Sequence, residues 1–306
     1  MEENKVYIPD LLRKDRLLIL LFHGVVSRHK YKIRNYIRKH IDRERFIEVI
    51  SSLKKFGNPL TMDEVIEYHN ARADYPPNSF VVTFDDGFAN NYEIAAPILS
   101  DYEVPATFYI TSKFIEENSM SWIDQVEILI EKRLNNPFFL KIRDERYYIH
   151  NVNTAIKFLD TLRNDVKSSK DLDGDTVVQS IADQLNLDVV KESFDELDRK
   201  MTSKELKDLS QNPLFLVGGH TYSHPNMAHL KKERLRYEIG RNLRALEDLL
   251  NHPIYHFAYP EGLQHSYSQV VIEALSSFGI RCCPTAIYGH NSSKTDLMHL
   301  KRVFVT

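Results

Sequence analysis

Short apolar runs alternate with stretches of helical periodicity over most of the chain. The runs have the length and the β-branched or aromatic content of buried strands. They are LLILLF (17–22), SFVVTF (79–84), ATFYI (106–110), LFLVGG (214–219), IYHFAY (254–259), IRCCPTAIY (280–288) and LKRVFVT (300–306). Between them, apolar residues at helical spacing predict helices, most clearly over 42–57 and 231–250. Strand followed by helix, repeatedly, indicates an α/β fold with a parallel sheet.

The number of strands favours a closed sheet. About seven candidates, with no glycine-rich nucleotide-binding loop after the first, favour a barrel over an open doubly wound sheet. The alternation lapses at about 113–200, where charged sequence such as WIDQVEILIEKRL keeps helical spacing. We therefore predict a single domain over residues 1–306, with a mainly helical insertion packed over one face of the barrel.

Composition and charge narrow the class of protein. The chain is 42% hydrophobic and 27% charged, an ordinary globular mixture, and its net charge of -3 excludes a global basic field for nucleic acid. The dense basic run at 28–40 is typical of a solvated face, or of contact with the phosphate of a carrier lipid or nucleotide sugar.

Targeting signals and cysteines suggest a location. The apolar stretch 17–22 is shorter than the roughly 7–15 residues of a secretory signal, and no stretch approaches the ~20 residues of a membrane span. The two cysteines, Cys282 and Cys283, are adjacent, which predicts reduced core thiols. We expect a cytoplasmic protein without a transmembrane segment.

Two neighbouring carboxylates, Asp85 and Asp86, end the apolar run 79–84 and are followed by Gly87. Burial of an unpaired charge is costly, so such a pair faces solvent, changes protonation or holds a cation. Taken alone, Asp-Asp-Gly is typical of a solvated turn.

Two histidines, His220 and His224, follow the apolar run 214–219 in the same way. In an extended strand they would lie about 13 Å apart, too far to share an ion. The Gly218-Gly219 pair permits a turn, and positions i and i+4 of a helical turn lie about 6 Å apart at Cβ. Both polar clusters fall at the carboxyl ends of predicted parallel strands, where barrels build active sites. Together they favour a three-ligand metal site with open positions, as catalytic sites have.

Three motifs in order resemble those of a known family. TFDDG (83–87) and HTYSH (220–224) resemble the first two motifs of the polysaccharide deacetylases of the NodB-homology type, carbohydrate esterase family 4. FAYPEG (257–262) resembles their third motif, and LLFHGV (20–25) and residues 288–305 resemble the ends of a subgroup associated with surface-polysaccharide biosynthesis. The resemblance implies a distorted (β/α) barrel.

The resemblance also implies roles for individual residues. Asp86, His220 and His224 would bind a divalent ion, usually zinc, with cobalt or nickel as the other candidates. Asp85 would be the general base, and the backbone N–H of Glu261 would help to bind an oxyanion. The implied reaction is metal-dependent hydrolysis of an N-acetyl group on a sugar.

Two departures from the family pattern leave roles open. Where many members have an arginine that orients the base, this chain has Ala258, so what holds Asp85 is undetermined. The late histidine that many members use as general acid has no clean counterpart, and His290 and His299 are the candidates.

Other side chains are candidates for substrate binding. His23 ends the first predicted strand and would line the site, although a core histidine fits the sequence equally well. Phe88, Tyr259 and Trp122 could stack on a sugar ring, and core packing is the competing interpretation for each. Trp122 is the strongest of them, because it begins the insertion, where it would overhang the site.

We therefore expect a carbohydrate deacetylase whose substrate is an N-acetylated sugar, nucleotide-linked, lipid-linked or polymeric. Ala258 and the missing acid leave an alternative, a sugar-binding or scaffold protein without turnover. A metal hydrolase of a different amide or ester is a third hypothesis, since fold alone does not choose the substrate.

Overall fold

A parallel sheet of six strands forms the centre of the fold. The computed structural model describes residues 8–27, 31–168 and 172–306, so residues 28–30 of the basic run lie outside it. The strands in chain order are β1 (Leu18–Phe22), β2 (Gly24–Val26), β3 (His40–Asp42), β4 (Asn58–Pro59), β5 (Ser79–Phe84), β6 (Ala106–Ile110), β7 (Phe138–Ile142), β8 (Glu145–Ile149), β9 (Phe215–Gly219) and β10 (Val303–Phe304). The central sheet has the order β10-β1-β5-β6-β9, with β4 beside the start of β5.

All pairings in this sheet are parallel, as the sequence predicts. Every residue of β1, β5 and β6 is buried, which explains their continuous apolar runs: a parallel sheet is covered on both faces. β5 lies between β1 and β6, and β6 pairs with β9, so the ends of β5 and β9 meet at one edge.

The predicted strands at 254–259 and 280–288 are wrong as regular strands. Among the described residues they make single parallel bridges, Gly219 with Phe257 and His256 with Cys282. Pro260 and Pro284 follow these bridges and cannot donate to a ladder. The described strands therefore form a sheet extended by isolated bridges, and no continuous ladder closes it into a barrel of about seven strands.

Helices cover the sheet. They are α1 (Arg43–Phe56), α2 (Met62–Ala71), α3 (Ala96–Asp101), α4 (Ser112–Glu117), α5 (Trp122–Arg133), α6 (Val152–Ser168), α7 (Gly174–Leu185), α8 (Ser203–Ser210), α9 (Lys232–Leu250) and α10 (Gln269–Ser277). α9 buries one stripe of leucine and isoleucine against the main core. Its length and its stripe agree with the helical spacing of the sequence.

The segment between β6 and α8 has an apolar core of its own. α5, α6, α7 and the antiparallel hairpin β7–β8 pack around buried aliphatic residues such as Leu129, Leu140 and Ile181. The hairpin was not predicted, although burial alternates along β7 as in a strand with one solvent face.

Two further observations concern the cysteines and the helix lengths. Cys282 and Cys283 are buried and form no disulfide, which confirms the predicted free thiols. In the described ranges, every helix is too short or too polar to cross a bilayer.

Candidate metal and catalytic site

The two polar clusters of the sequence meet at one edge of the sheet. Asp86 follows β5, and His220 and His224 follow β9. One ligand atom from each of these residues lies within 4.8 Å of the others. Asp86 Oδ1 is 3.6 Å from His220 Nε2 and 3.4 Å from His224 Nε2. Three side chains from distant parts of the chain therefore converge as a divalent ion requires.

Unusual backbone conformations produce this convergence. Asp86 has a φ of 78° and Gly87 one of 86°, so the chain turns sharply where β5 ends. Thr221 and His224 have φ values of 64° and 62°, and this left-handed pair replaces the helical turn that the sequence suggested. Such conformations are costly for residues other than glycine and cluster at functional sites.

The Gly218-Gly219 pair has a different role from the predicted one. Both glycines remain in β9. A Cβ on Gly218 would lie 2.6 Å from the Tyr109 ring, and one on Gly219 would lie 2.5 Å from the Asn242 amide oxygen. The pair is therefore required by close packing beneath the site, and the turn comes after it.

The state of His220 suits metal ligation. Its Nδ1 lies 2.8 Å from the Ala258 carbonyl oxygen, which can only accept, so Nδ1 carries the proton and Nε2 presents its lone pair to the site. Burial lowers the pKa of His220, which favours the neutral imidazole.

The Asp86 carboxylate indicates that the site suits a cation. Its Oδ1 is buried and has no hydrogen-bond partner among the described residues. A buried carboxylate oxygen without a donor is costly unless a cation satisfies it. Together with two imidazole nitrogens, it makes a donor set that suits a divalent transition ion.

Asp85 is held by Arg302, which the sequence did not reveal. The guanidinium donates to both carboxylate oxygens at 2.8 Å, and both side chains are almost fully buried. Burial would raise the pKa of Asp85, but Arg302 and then His220 lower it overall, so the carboxylate is ionised at neutral pH. Its Oδ2 lies 4.0 Å from His220 Nε2, beside the ligand set.

Glu238 holds the loop that carries the two histidines, and it too was not predicted. This carboxylate on α9 is fully buried and accepts hydrogen bonds from the N–H and the hydroxyl of Ser223, both at 2.8 Å. The Thr221 hydroxyl accepts from the His224 N–H at 3.0 Å, which fixes the same loop from within. Side chains that orient ligands in this way strengthen metal binding.

His23 follows β1, which pairs with β5, and its ring packs edge-on against Phe304 within electrostatic reach of Asp86 and Asp85. Its imidazole is half-buried, and its Nδ1 has no hydrogen-bond partner among the described residues. Burial lowers its pKa to about 4 despite the opposing charges of Asp86 and Asp85. The imidazole is therefore neutral at neutral pH, with one ring nitrogen as a donor.

Phe88 and Tyr259 do not offer the stacking surfaces that the sequence suggested. Phe88 is fully buried, with the Lys200 ammonium 3.3 Å from its ring centre and His40 against its edge. Tyr259 is also fully buried and stacks on Tyr267. Since neither ring has an open face, the prediction that they bind a sugar is wrong.

Trp122 lies at the start of α5, partly buried against the core of the insertion. A Cβ on Gly174 would lie 2.4 Å from its indole, so α7 approaches it closely. Its stacking on substrate stays a prediction.

Glu261 lies within electrostatic reach of His224, and its backbone is in the left-handed region with a φ of 62°. Its carboxylate forms an ion pair with Lys167 at the end of α6. Burial would raise its pKa, but Lys167 and His224 lower it overall. In the part of the chain that the structure describes, the Glu261 N–H donates to no protein acceptor.

The two late histidines are engaged elsewhere. His290 Nε2 bonds to the Leu11 carbonyl oxygen at 2.6 Å. His299 is exposed and pairs with Asp296. Within the described ranges, neither contacts the carboxylate pair.

The family model and the curated relatives that match this chain all concern polysaccharide deacetylases. The model of the polysaccharide deacetylase family matches residues 72–283, more than half of the chain. Poly-β-1,6-N-acetyl-D-glucosamine N-deacetylase of Staphylococcus aureus (strain N315) is 26% identical over 122 residues. That alignment covers 40% of this chain and 41% of the relative, so the similarity spans well under half of either protein.

Solved structures agree in fold over nearly the whole chain. IcaB from Ammonifex degensii has a TM-score of 0.62 at 19% identity, covering 96% of this chain and 94% of that one. The Streptococcus pyogenes deacetylase PplD, in complex with acetate, has a TM-score of 0.61 at 16% identity, covering 95% and 93%. At these identities the likeness concerns the fold alone, and it confirms the deacetylase-type α/β fold predicted from sequence.

Proposed function

The chain belongs to the polysaccharide deacetylase family, and from that premise we propose that it removes the acetyl group from an N-acetylated sugar by metal-dependent hydrolysis. The observation that carries this proposal is the convergence of Asp86, His220 and His224 within 4.8 Å, with Asp85 beside them. A site of three protein ligands keeps positions open for water and substrate, as hydrolytic metal sites do.

Asp86 Oδ1, His220 Nε2 and His224 Nε2 would hold the divalent ion. When bound, the ion supplies polarisation of a carbonyl group and a lowered pKa of water. We propose zinc, because two imidazole nitrogens and one carboxylate are a donor set typical of zinc hydrolases. Cobalt and nickel also suit imidazole ligands and are the alternatives to test.

Asp85 would act as the general base. Arg302 fixes both of its oxygens, so the carboxylate has one orientation toward the ligand set. Its lowered pKa keeps it ionised at neutral pH, the state that accepts a proton from water. The same ion pair makes it a weak base in isolation, so its effect depends on proximity to the reacting water.

Two groups would donate hydrogen bonds to the substrate amide during its hydrolysis. The free Glu261 N–H can donate to the oxygen of the scissile acetamide, and Glu261→Gly, which keeps that N–H and suits the left-handed backbone, should retain activity. The neutral His23 imidazole can donate a hydrogen bond to the substrate amide, and the proton that Asp85 takes from water can pass to the departing nitrogen. We propose His23 for this role in place of His290 and His299, because the charges of Asp86 and Asp85 act on its imidazole and its Nδ1 has no hydrogen-bond partner among the described residues.

We propose N-acetylglucosamine units of a polysaccharide, or of its precursor, as the substrate class. This draws on the curated relatives, which are named for poly-β-1,6-N-acetyl-D-glucosamine. The test is acetate release by metal-stripped protein, with and without added zinc, cobalt or nickel, from nucleotide-linked, lipid-linked and oligomeric N-acetylglucosamine. Zinc-dependent release from one class would support the proposal, and metal-independent release would contradict it.

One argument for the alternative function, a sugar-binding protein without turnover, no longer holds. It rested partly on Ala258, and Arg302 now supplies an arginine to the base. A hydrolase of another amide or ester would instead release acyl groups from a panel of non-sugar substrates faster than from N-acetylglucosamine.

A further inference from the structure

A partly open cavity lies between the insertion and the segment that leads into β3. Its walls include Arg34, Lys39 and His40 from that segment, α5 and α6 residues of the insertion, and Asp198. It holds about 10 Å³ of water-accessible space, roughly one water-sized group. The predicted fold gave no sign of it, because it forms where three distant segments meet.

The charges of the walls cancel in pairs. Arg34 bonds to Asp198 at 2.6 Å, Lys39 to Asp124 at 2.8 Å, and Arg163 to Glu127 at 2.7 Å. A cavity lined by three cations and their three carboxylates has no surplus charge for a phosphate. Two cations of the basic run, Arg34 and Lys39, are therefore paired inside the protein and do not belong to a solvated face or a phosphate site.

Two nearly fully buried side chains of the cavity wall nevertheless carry polar atoms without a partner. Asp198 is 2% exposed, and its Oδ2 has no hydrogen-bond partner among the described residues. His40 is 3% exposed, and its Nε2 likewise lacks a partner within those ranges. Arg163 Nε, also on the cavity wall, is a third such atom. Buried polar atoms of this kind are costly unless a ligand or water satisfies them.

The hydrogen bonds of Asn90 determine which atom of His40 donates. The Asn90 Oδ1 accepts from the Val25 N–H at 3.2 Å, so its Nδ2 is the atom that faces His40 Nδ1 at 3.1 Å. His40 Nδ1 must accept, and Nε2 therefore carries the proton. The cavity thus offers two donors, His40 Nε2 and Arg163 Nε, and one acceptor, Asp198 Oδ2.

The cavity adjoins the metal site. His40 and Lys39 both contact the ring of Phe88, two residues after Asp86. Burial would lower the pKa of Lys39, but Asp124 and then Asp86 raise it, which places Lys39 within electrostatic reach of the ligand. The fully buried Phe88 ring thus joins the cavity wall to the segment that carries the ligand Asp86.

We propose that the cavity is a specificity subsite that receives one hydroxyl group of the sugar chain bound at the metal site. A hydroxyl accepts from one group and donates to another, which is the combination that the free donors and Asp198 Oδ2 require. This inference rests on the proposed function for its substrate class. It adds that the protein selects its substrate by a free hydroxyl, in a subsite built partly by the insertion.

Asp198→Asn tests the subsite. The amide oxygen would keep the bond to Arg34, so the NH₂ group would replace Oδ2 and turn the acceptor into a donor. The matched control is Asp195→Asn, a partly exposed carboxylate 4.0 Å from Arg34 that does not line the cavity. Binding of an N-acetylglucosamine oligosaccharide to metal-free protein, measured by calorimetry, should weaken about tenfold in Asp198→Asn and stay unchanged in the control.

Two further measurements exclude a merely structural effect. Hydrolysis of an aryl acetate, which has no hydroxyl group, should be the same in zinc-loaded wild type and Asp198→Asn. Among oligosaccharides that each lack one hydroxyl, one should bind the wild type about tenfold more weakly than the parent and show no further loss in Asp198→Asn.

The outcomes separate this inference from the proposed function. Oligosaccharide binding without acetate release would leave the subsite supported and contradict the deacetylase. Three results would overturn the subsite and leave the cavity to a structural water. The first is equal oligosaccharide binding by wild type and Asp198→Asn, and the second is a loss of aryl acetate hydrolysis in Asp198→Asn as large as its loss of oligosaccharide binding. The third is that no single hydroxyl group shows the coupling. Absence of oligosaccharide binding by the wild type would overturn it as well.

Discussion

Arg302 and Asp85 lie 217 residues apart in the chain and meet inside the protein through two hydrogen bonds of 2.8 Å. The fork of the guanidinium matches the two carboxylate oxygens, a geometry that a lysine cannot reproduce. Arg302 is thus a positioning residue that acts through Asp85, in the place left open by Ala258.

Arg302→Lys should lower kcat about 10- to 100-fold, because it keeps the charge and loses one hydrogen bond to a buried carboxylate. Zinc affinity should stay within about twofold, since Asp86 and the histidines are untouched. Steady-state acetate release and a zinc titration against a chelator measure the two effects. Arg281→Lys, the same change at an exposed site, is the control. Equal loss of zinc affinity and activity would assign Arg302 a structural role.

The same pair predicts a pH dependence of stability in the metal-free protein. The pKa of Asp85 is lower in the folded state than in the unfolded state. As the pH falls, the unfolded state therefore binds the proton first, and the folded state loses stability relative to it. The stabilisation is fully present above the unfolded pKa of about 3.9 and is lost as the pH falls through the lower folded value. Urea unfolding should show the advantage of wild type over Asp85→Asn shrinking below about pH 4. A constant difference from pH 3 to 7 would contradict this.

His23→Gln should lower kcat about tenfold at neutral pH, because the substrate amide loses the hydrogen bond that the imidazole donates in the fixed geometry of the site. The control is His299→Gln, which removes an exposed histidine paired with Asp296 and should change kcat less than about twofold. If His299→Gln lost more activity than His23→Gln, the assignment of the donor would be wrong.

Glu238→Gln should weaken zinc binding about tenfold, because the Ser223 N–H and hydroxyl lose a charged acceptor and the histidine loop loosens. Glu233→Gln, an exposed glutamate on the same helix, should bind zinc like the wild type. Unchanged affinity in Glu238→Gln would show that Thr221 and the backbone bonds of Tyr222 hold the loop without this carboxylate.

The sequence predicted the parts of the site whose signals are local. Residues 79–84 and 214–219 read as buried strands because a parallel sheet leaves continuous apolar runs. Polar residues at the ends of such strands meet at one edge, so Asp86, His220 and His224 could be grouped before their distances were known.

The rest depended on contacts between distant segments. Arg302 stands directly before the short closing strand β10, where nothing in its neighbourhood marks a buried arginine, and its partner lies 217 residues away. From sequence, Phe88 could stack on a sugar or pack in the core, and Lys200 from the far end of the insertion decides the matter by covering its ring. Burial of this kind follows from topology, which local periodicity does not encode.

The most direct test of the account is a parallel assay of zinc content and acetate release in Asp85→Asn and Asp86→Asn. Asp85→Asn should bind one zinc ion as the wild type does and release no acetate from N-acetylglucosamine oligosaccharides. Asp86→Asn should lose both zinc and activity, since it removes one of three ligands. Acetate release by Asp85→Asn at the wild-type rate, or zinc bound as tightly by Asp86→Asn as by the wild type, would contradict the assigned roles of base and ligand.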